Sequence, residues 1–257
     1  MTGATYNVYD GIELLQYSID CIREHVDYIN VVWQDVSNRG EVDKTALSQL
    51  QAIKGIDELI YYKPDLSLHV KINETIKRQI GYDHAKAKGC KLWLNLDTDE
   101  MYKPDEFAKA KQLFIEGNYD SSACQMITFY KYDNRAIFPF ETYYVPLFFK
   151  VDNRTLGSHT WSVVCDMSRK LQQGKLLVYT REQIQMHHYS MIRKDFGKKI
   201  RNKSAAINWP DMVGRYADEW EKCTPETMTV MHPHRGTKEF RKLTLIDFQG
   251  CVKVSTQ

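Results

Sequence analysis

Four side chains in a row, Asp97, Thr98, Asp99 and Glu100, follow the apolar run Leu92 to Leu96 in the stretch KLWLNLDTDEMY. Carboxylates two residues apart at the end of a buried strand need a counter-ion, because an isolated buried carboxylate costs several kcal/mol. A divalent cation removes that cost, and hard oxygen ligands suit magnesium or manganese, which keep positions open for water and phosphate oxygens. A plainer reading also fits: a solvated loop whose acids cap the helix that starts at Pro104. A second reactive pair, His187 and His188 in QMHHY, lies roughly ninety residues later. On a strand only one of two adjacent histidines faces a given side.

The elements before these residues decide where they sit. Ala4 to Val8 reads as a strand, and Ile12, Leu15, Ile19, Ile22 and Val26 mark one stripe of a helix with Asp10 at its N-cap. YINVVW (Tyr28 to Trp33) is a second strand ending in Gln34 and Asp35, and a helix from about Asp43 to Lys54 stops at Gly55. ELIYY is a third strand, followed by a helix that begins near an Asn73 cap, places Ile76, Ile80 and Ala87 on one side and ends at Gly89. Alternation of this kind predicts a parallel sheet flanked by helices, with Leu92 to Leu96 as a central strand. Ligands of such sheets bind at the carboxyl ends of the strands, where the acidic cluster would lie.

Beyond a helix from Pro104 to Glu116 the alternation stops. Aromatic, β-prone segments at ACQMITFYKY and ETYYVPLFFKV predict a mixed or antiparallel second half, followed by a basic amphipathic helix from about Ile192 to Lys203. The expected organisation is one domain over residues 1–257, with the change of pattern falling at about residue 102. At 257 residues and 43% hydrophobic content the chain can bury one large core, and a net charge of +2 confines any charge signal to local patches. Six scattered cysteines without a CxxC pair read as small buried hydrophobes rather than zinc or redox ligands. No apolar run approaches a membrane span, so the expectation is a soluble, cytoplasmic protein in which the sequons at Asn73, Asn153 and Asn202 are chance matches.

Three blocks, in order, resemble the GT-A fold glycosyltransferases of the family 2-like group. YNVYDGIELLQYSIDCIREHVDYINVVWQ is similar to that group's opening strand, acidic loop and helix, LNLDTDEMYKPDEF to its DxD block, and QMHHYSMIRKDFGKKIRNKSA to its late His block. The resemblance implies a GT-A (Rossmann-like), mostly parallel central sheet with a mixed β acceptor region and C-terminal helices, a donor-binding half running to about residue 102 and an acceptor-binding half after it. It also implies a nucleotide-sugar donor, a UDP-sugar first, and sugar transfer to an acceptor hydroxyl, with a carbohydrate as the expected acceptor and hydroxymethylated DNA as the alternative. Asp97 would approach the ribose or the metal, Asp99 would bind Mn2+ or Mg2+ on the donor diphosphate, and His187 or His188 would complete the metal site.

For the donor the implied contacts are Tyr9, Asp10 and Glu13 after the first strand and Gln34 and Asp35 after the second. Lys77 and Arg78 would approach the diphosphate, although charged helix residues also serve simply as a wet face. An inverting transfer needs a carboxylate base. Asp166 ranks first and Glu141 second, with Asp152 behind them, and a cap or salt bridge is the other reading of Asp166. Arg193, Lys194 and Lys198, with Lys199, Arg201 and Lys203, would clamp the leaving diphosphate or dock a polyanion. His232, His234, Arg235, Lys238, Arg241 and Lys242 form a second basic patch, and Tyr143, Tyr144, Phe148 and Trp161 could stack on sugars or bases, although aromatics at such spacing are more often core. Two other enzyme classes fit poorly. A haloacid-dehalogenase phosphatase would carry its DxD after the first strand with Thr or Val where Met101 stands, and a sugar nucleotidyltransferase needs a Gly- and Arg-rich loop that VYDGIELL lacks. A non-catalytic nucleic-acid-binding module, using the basic segments, is the rival from another class.

Overall fold

The computed structural model describes residues 1–172, 174–203, 212–233 and 239–254. Its first half is built from β1 (Thr2–Val8), β2 (Tyr28–Trp33), β3 (Glu58–Tyr61) and β4 (Leu92–Asp97), all parallel in the order β3-β2-β1-β4. Every residue of β2 is buried, as a strand covered on both faces requires. Helix α1 (Ile12–Ile22) buries Ile12, Leu15, Ile19 and Ile22 on the expected stripe, each contributing about 1.5–3 kcal/mol by leaving water. Its N-cap is Gly11, in the left-handed region at φ 78°, so Asp10 is displaced from the capping role by one residue. Helix α2 spans only Ala46–Gln51, because Asp43 closes a local turn onto Thr45 instead of starting the helix.

Helix α3 (Val70–Ala87) reverses the sequence expectation. Its buried face is Val70, Asn73, Lys77, Arg78, Gly81, Tyr82 and Ala85, whereas Ile72 and Ile76 are exposed. Asn73 does not cap the helix, a role taken by His69; it lies one turn inside, accepting from Tyr62 Oη and Asp65 N. Polar partners on the sheet explain the reversal: Asn30 Nδ2 donates to the Gly81 carbonyl at 3.0 Å, and the Lys77 and Arg78 heads reach the strand ends.

Antiparallel strands extend the sheet beyond β4. After the short β5 (Glu100–Met101) and helix α4 (Pro104–Glu116) come β6 (Ser121–Tyr130), β7 (Arg135–Phe138) and β8 (Tyr144–Lys150). Strand β8 pairs antiparallel with both β4 and β6. Strand β9 (Leu176–Val178) and strand β10 (Gln185–Met191) run parallel to β6, and β10 also pairs antiparallel with β5, setting His187 opposite Met101 and His188 opposite Glu100. The basic segment yields α5 (Phe196–Asn202), shorter than expected, and α6 (Val213–Glu221) follows it. A hairpin follows these helices, β11 (Thr229–Pro233) and β12 (Phe240–Asp247), and its second strand joins β7, adding to the mixed β region. Residues 234, 235 and 238 of the second basic patch (His234, Arg235 and Lys238) lie outside the described residues. Among the described residues no helix is long and apolar enough to cross a membrane.

Close packing of α3 on β1 makes a testable point. A Cβ on Gly81 would stand 2.1 Å from Thr5 Cγ2, and Thr5 is fixed because Trp93 Nε1 donates to its hydroxyl at 2.7 Å. Gly81→Ala should therefore destabilise the protein in urea melts, since overpacking costs about 1–3 kcal/mol against a helix-propensity gain of about 1 kcal/mol. Adding Thr5→Ser, which deletes the methyl and keeps the hydroxyl, should recover most of the loss.

Candidate active site

The carboxyl ends of β1, β2 and β4 meet side chains from the middle of α3, β10 and α5. Asp97, the last residue of β4, accepts from Arg78 Nη2 at 3.0 Å and from Arg169 Nη2 at 2.5 Å. Glu100, in β5, pairs with the same Arg169 Nη2 at 2.6 Å, while its carbonyl accepts from Ser18 Oγ at 2.5 Å. Asp99 is almost fully buried, with Oδ2 shared between Arg193 Nη2 and Lys199 Nζ (2.9 Å to the latter). Its Oδ1 faces His188 Nε2 at 3.8 Å. Four cations, Arg78, Arg169, Arg193 and Lys199, thus hold three carboxylates.

Burial opposes ionisation of all three acids, and the cations decide the outcome for each. At Asp97, Arg169 and Arg78 outweigh burial and bring the carboxyl down to about 2. At Asp99, Lys199 and Arg193 outweigh it still further and hold that carboxyl well below the usual range. At Glu100 burial prevails: its one guanidinium is shared with Asp97, whose charge adds to the push, and the carboxyl rises to about 7. Gly11 makes the cluster possible, because a Cβ there would lie 2.3 Å from Arg193 Nη1 and 2.5 Å from Thr98 Oγ1.

The two histidines separate. His188 lies on the acid side, with burial pushing its pKa down and Asp99 opposing, whereas His187 is fully buried in the core, stacked 5.5 Å from Phe129, with Nδ1 accepting from Cys251 N at 3.2 Å. Lys77, buried, commits its ammonium to the Val8 carbonyl (2.8 Å) and Gln34 Oε1 (3.1 Å), tying β1 to β2. Tyr9 donates to the Glu41 carbonyl at 2.9 Å and lies under Lys198, whose ammonium pairs with Asp43 at 2.7 Å. Asp10 keeps a buried Oδ2 without a hydrogen-bond partner among the described residues, Glu13 is half-buried in the first turn of α1, and Asp35 accepts from Tyr61 Oη at 2.8 Å. Lys194 is exposed.

Of the base candidates, Asp166 is occupied: one oxygen caps the 3-10 turn Met167–Arg169 through Ser168, and the other pairs with Lys71 at 2.8 Å. Glu141 is exposed and accepts from Thr128 Oγ1 at 2.8 Å, and Thr128 is the register partner of His188. Asp152 is bound to Arg154 at 2.8 Å. Arg169 is the residue that reading the sequence passed over, since a buried arginine beside a caps-and-turns motif has no periodic signature. Of the aromatic candidates, Phe148 and Trp161 are core residues.

A parallel β3-β2-β1-β4 half with the DxD at the end of β4, continued by an antiparallel strand and a mixed second half, is the arrangement the sequence blocks imply. The chain has a GT-A-type fold. No family model matches the sequence, and no curated protein matches it either. Among solved structures, residues 1–349 of S. aureus TarS are similar at 8% identity and a TM-score of 0.47, over 78% of this chain and 63% of that one. The same fragment in complex with UDP gives 8% and 0.46, over 78% and 65%. Mannose-1-phosphate geranyltransferase from Thermus thermophilus gives 13% and 0.34, over 59% and 50%. The chain spans less than two thirds of each of these neighbours, and likenesses of this depth say nothing about activity.

Asp97, Asp99 and His188 are the residues from which the sequence expects a metal site in this GT-A fold. As donors these side chains suit a dication, but their arrangement here does not. Among the described residues no three His, Cys, Asp or Glu side chains gather in a ligand group, and the oxygens of Asp97 and Asp99 are engaged by guanidinium and ammonium groups. Four guanidinium nitrogens of this cluster meanwhile have no acceptor among the described residues: Nε and Nη1 of Arg193, Nη1 of Arg169 and Nε of Arg78. Leaving such a group buried and unpaired costs about 1–3 kcal/mol, which an anion would offset. The arrangement therefore favours an anionic ligand.

Lys77 sets a pH dependence. Burial first, then Arg78, lowers its pKa from 10.5 to about 7. The folded state then binds fewer protons than the unfolded state between pH 7 and 10.5, so stability rises with pH across that window, by at most about 1.4 kcal/mol per unit. Urea midpoints from pH 7 to 9.5 should climb in the wild type relative to Lys77→Met, and parallel profiles would refute the assignment.

Proposed function

We propose that the protein is a glycosyltransferase that moves a sugar from a nucleotide-sugar to an acceptor hydroxyl by a single inverting displacement. The observation that carries this reading is the buried acid and guanidinium cluster at the carboxyl ends of β1 and β4, with unpaired N–H groups suited to a donor diphosphate.

Glu141 is the favoured base. An acceptor hydroxyl must lose its proton to a carboxylate that is within reach and not bound to a cation. Glu141 meets this through its exposed position and a carboxylate that accepts from the neutral Thr128, next to His188, while Arg181 is bound to its backbone carbonyl only; both oxygens of Asp166 are occupied. Phe138, 47% exposed, meets Phe140 edge to face at 5.7 Å just before Glu141 and offers a sugar an aromatic surface. A carbohydrate acceptor is favoured over DNA. The basic segment that suggested a polyanion offers it little: Lys198 is engaged by Asp43 and Arg201 by Glu41 at 3.8 Å, and Arg193 is buried, turned with Lys199 into the acid cluster.

UDP, which the TarS fragment binds, is the first nucleotide to try. At a hundred times its dissociation constant a donor nucleotide should stabilise the protein by about 2.7 kcal/mol in a thermal-shift assay. With a UDP-sugar panel and simple glycans, product should carry the sugar in inverted configuration. Glu141→Gln should lower kcat about 10²–10⁴-fold with little change in donor KM, while Asp166→Asn should chiefly lower stability. An unchanged kcat in Glu141→Gln would remove Glu141 from the mechanism.

A further inference from the structure

We propose that the negative charge on the departing diphosphate is taken up by Arg193, Arg169 and Lys199, and that transfer needs no divalent cation. This rests on the glycosyltransferase reading and goes beyond it, because the DxD resemblance implies a metal. Asp97 and Asp99 then act as holders of cations. Each carboxylate fixes the side chains that face the diphosphate, as Asp99 fixes Arg193 and Lys199 and Asp97 fixes Arg78 and Arg169.

Charge and geometry both carry the inference. With all three acids ionised, four cations against three carboxylates leave the cluster positive, so a dication would enter a site that already repels it. It would also have to displace Arg193 and Lys199 from Asp99 Oδ2, and Arg78 and Arg169 from Asp97, to reach its ligands. A diphosphate needs no such exchange of carboxylate partners. Its oxygens are acceptors, and Arg193 Nε and Nη1 and Arg169 Nη1 are buried donors lacking one. Lys199, about a fifth exposed, supplies the ammonium nearest solvent.

The step balances without a metal. An oxygen lone pair of the acceptor forms the new bond to the anomeric carbon as its proton passes to Glu141. The bond from that carbon to the diphosphate oxygen breaks, and its electron pair leaves on the nucleoside diphosphate. The charge that appears there meets the guanidinium and ammonium N–H groups, which are already oriented before reaction.

Isothermal titration of the purified protein with UDP, in EDTA and in Mn2+, tests the proposal directly. The expected result is a Kd that agrees within about threefold between the two conditions. Lys199→Met should weaken UDP at least tenfold in both. Asp99→Asn separates the alternatives: loss of a metal ligand would weaken UDP only in Mn2+, whereas loss of the carboxylate that orients Arg193 and Lys199 should change the Kd by the same factor in EDTA and in Mn2+. Circular dichroism checks that each variant folds, and Lys199→Met, altering a partly exposed side chain, remains informative if Asp99→Asn does not fold. UDP binding that appears only with Mn2+, or that tightens tenfold or more on adding it, would overturn the proposal while leaving the glycosyltransferase reading standing. Absence of binding by UDP and by every other nucleoside diphosphate in both conditions would overturn both.

Discussion

Arg169 lies between two carboxylates, Asp97 at 2.5 Å and Glu100 at 2.6 Å, and the rest of the site depends on that bridge. An ion pair taken out of water gains stability only when its remaining donors and acceptors are also satisfied. Here one guanidinium serves two acids from different strands, β4 and β5, and so holds the loop between them closed. Asp99, inside that loop, is turned instead toward Arg193, just past the end of β10, and Lys199 on α5. The cluster thereby stitches together chain segments about seventy to one hundred residues apart, as the separations of 72, 94 and 100 positions show. No segment could form it alone, so the site is a product of the complete fold and cannot precede it.

Strand β10 is the mechanical partner of this electrostatic constraint. Its pairing with β5 on one side and β6 on the other fixes which histidine faces the acids. Period-two alternation sends His187 into the Phe129 and Phe248 side of the core and His188 toward Asp99. The same register puts His188 beside Thr128, and Thr128 holds Glu141. A single strand therefore relates the acid cluster to the exposed carboxylate, and a register slip by one residue would exchange the histidines and separate the two.

The parallel half was legible because its signals are local: β-branched runs for the strands, the α1 stripe, and Pro104 and Gly117 bounding α4. Asp97 and Asp99 were legible as a pair because their spacing and strand-end position are written in the sequence. Their partners were not. The α3 face illustrates why, since hydrophobic periodicity assigns Ile76 to the core and Lys77 to solvent, and the structure does the opposite. Periodicity assumes that apolar area alone drives burial, whereas the inner face of α3 meets backbone carbonyls and acids at strand ends, where hydrogen bonds and ion pairs decide. Charge partners distant in sequence, Arg169 above all, leave no local trace. Asp166 shows the reverse, an acid that follows a strand-like run in the sequence but lies in a loop, where Ser168 and Lys71 make it a cap and a salt bridge.

Glu100 shows what such a cluster costs. A carboxyl raised from 4.5 to about 7 is destabilised as an anion, chiefly by burial. In the window between those values the folded state binds more protons than the unfolded state, so this residue's contribution to stability falls as pH rises and is fully present only below the unfolded value. Asp97, lowered from 3.8 to about 2, acts oppositely: its contribution is present above the unfolded value and fades as pH falls through the folded one. Two acids on one guanidinium therefore divide the work, Asp97 permanently charged and Glu100 close to its titration point at neutral pH. Each proton taken up by Glu100 makes the cluster more cationic by one charge, and that is the direction in which an anionic ligand is held more tightly. The strand that ends in carboxylates thus builds a positively charged site, because the acids are outnumbered by the cations they hold in place.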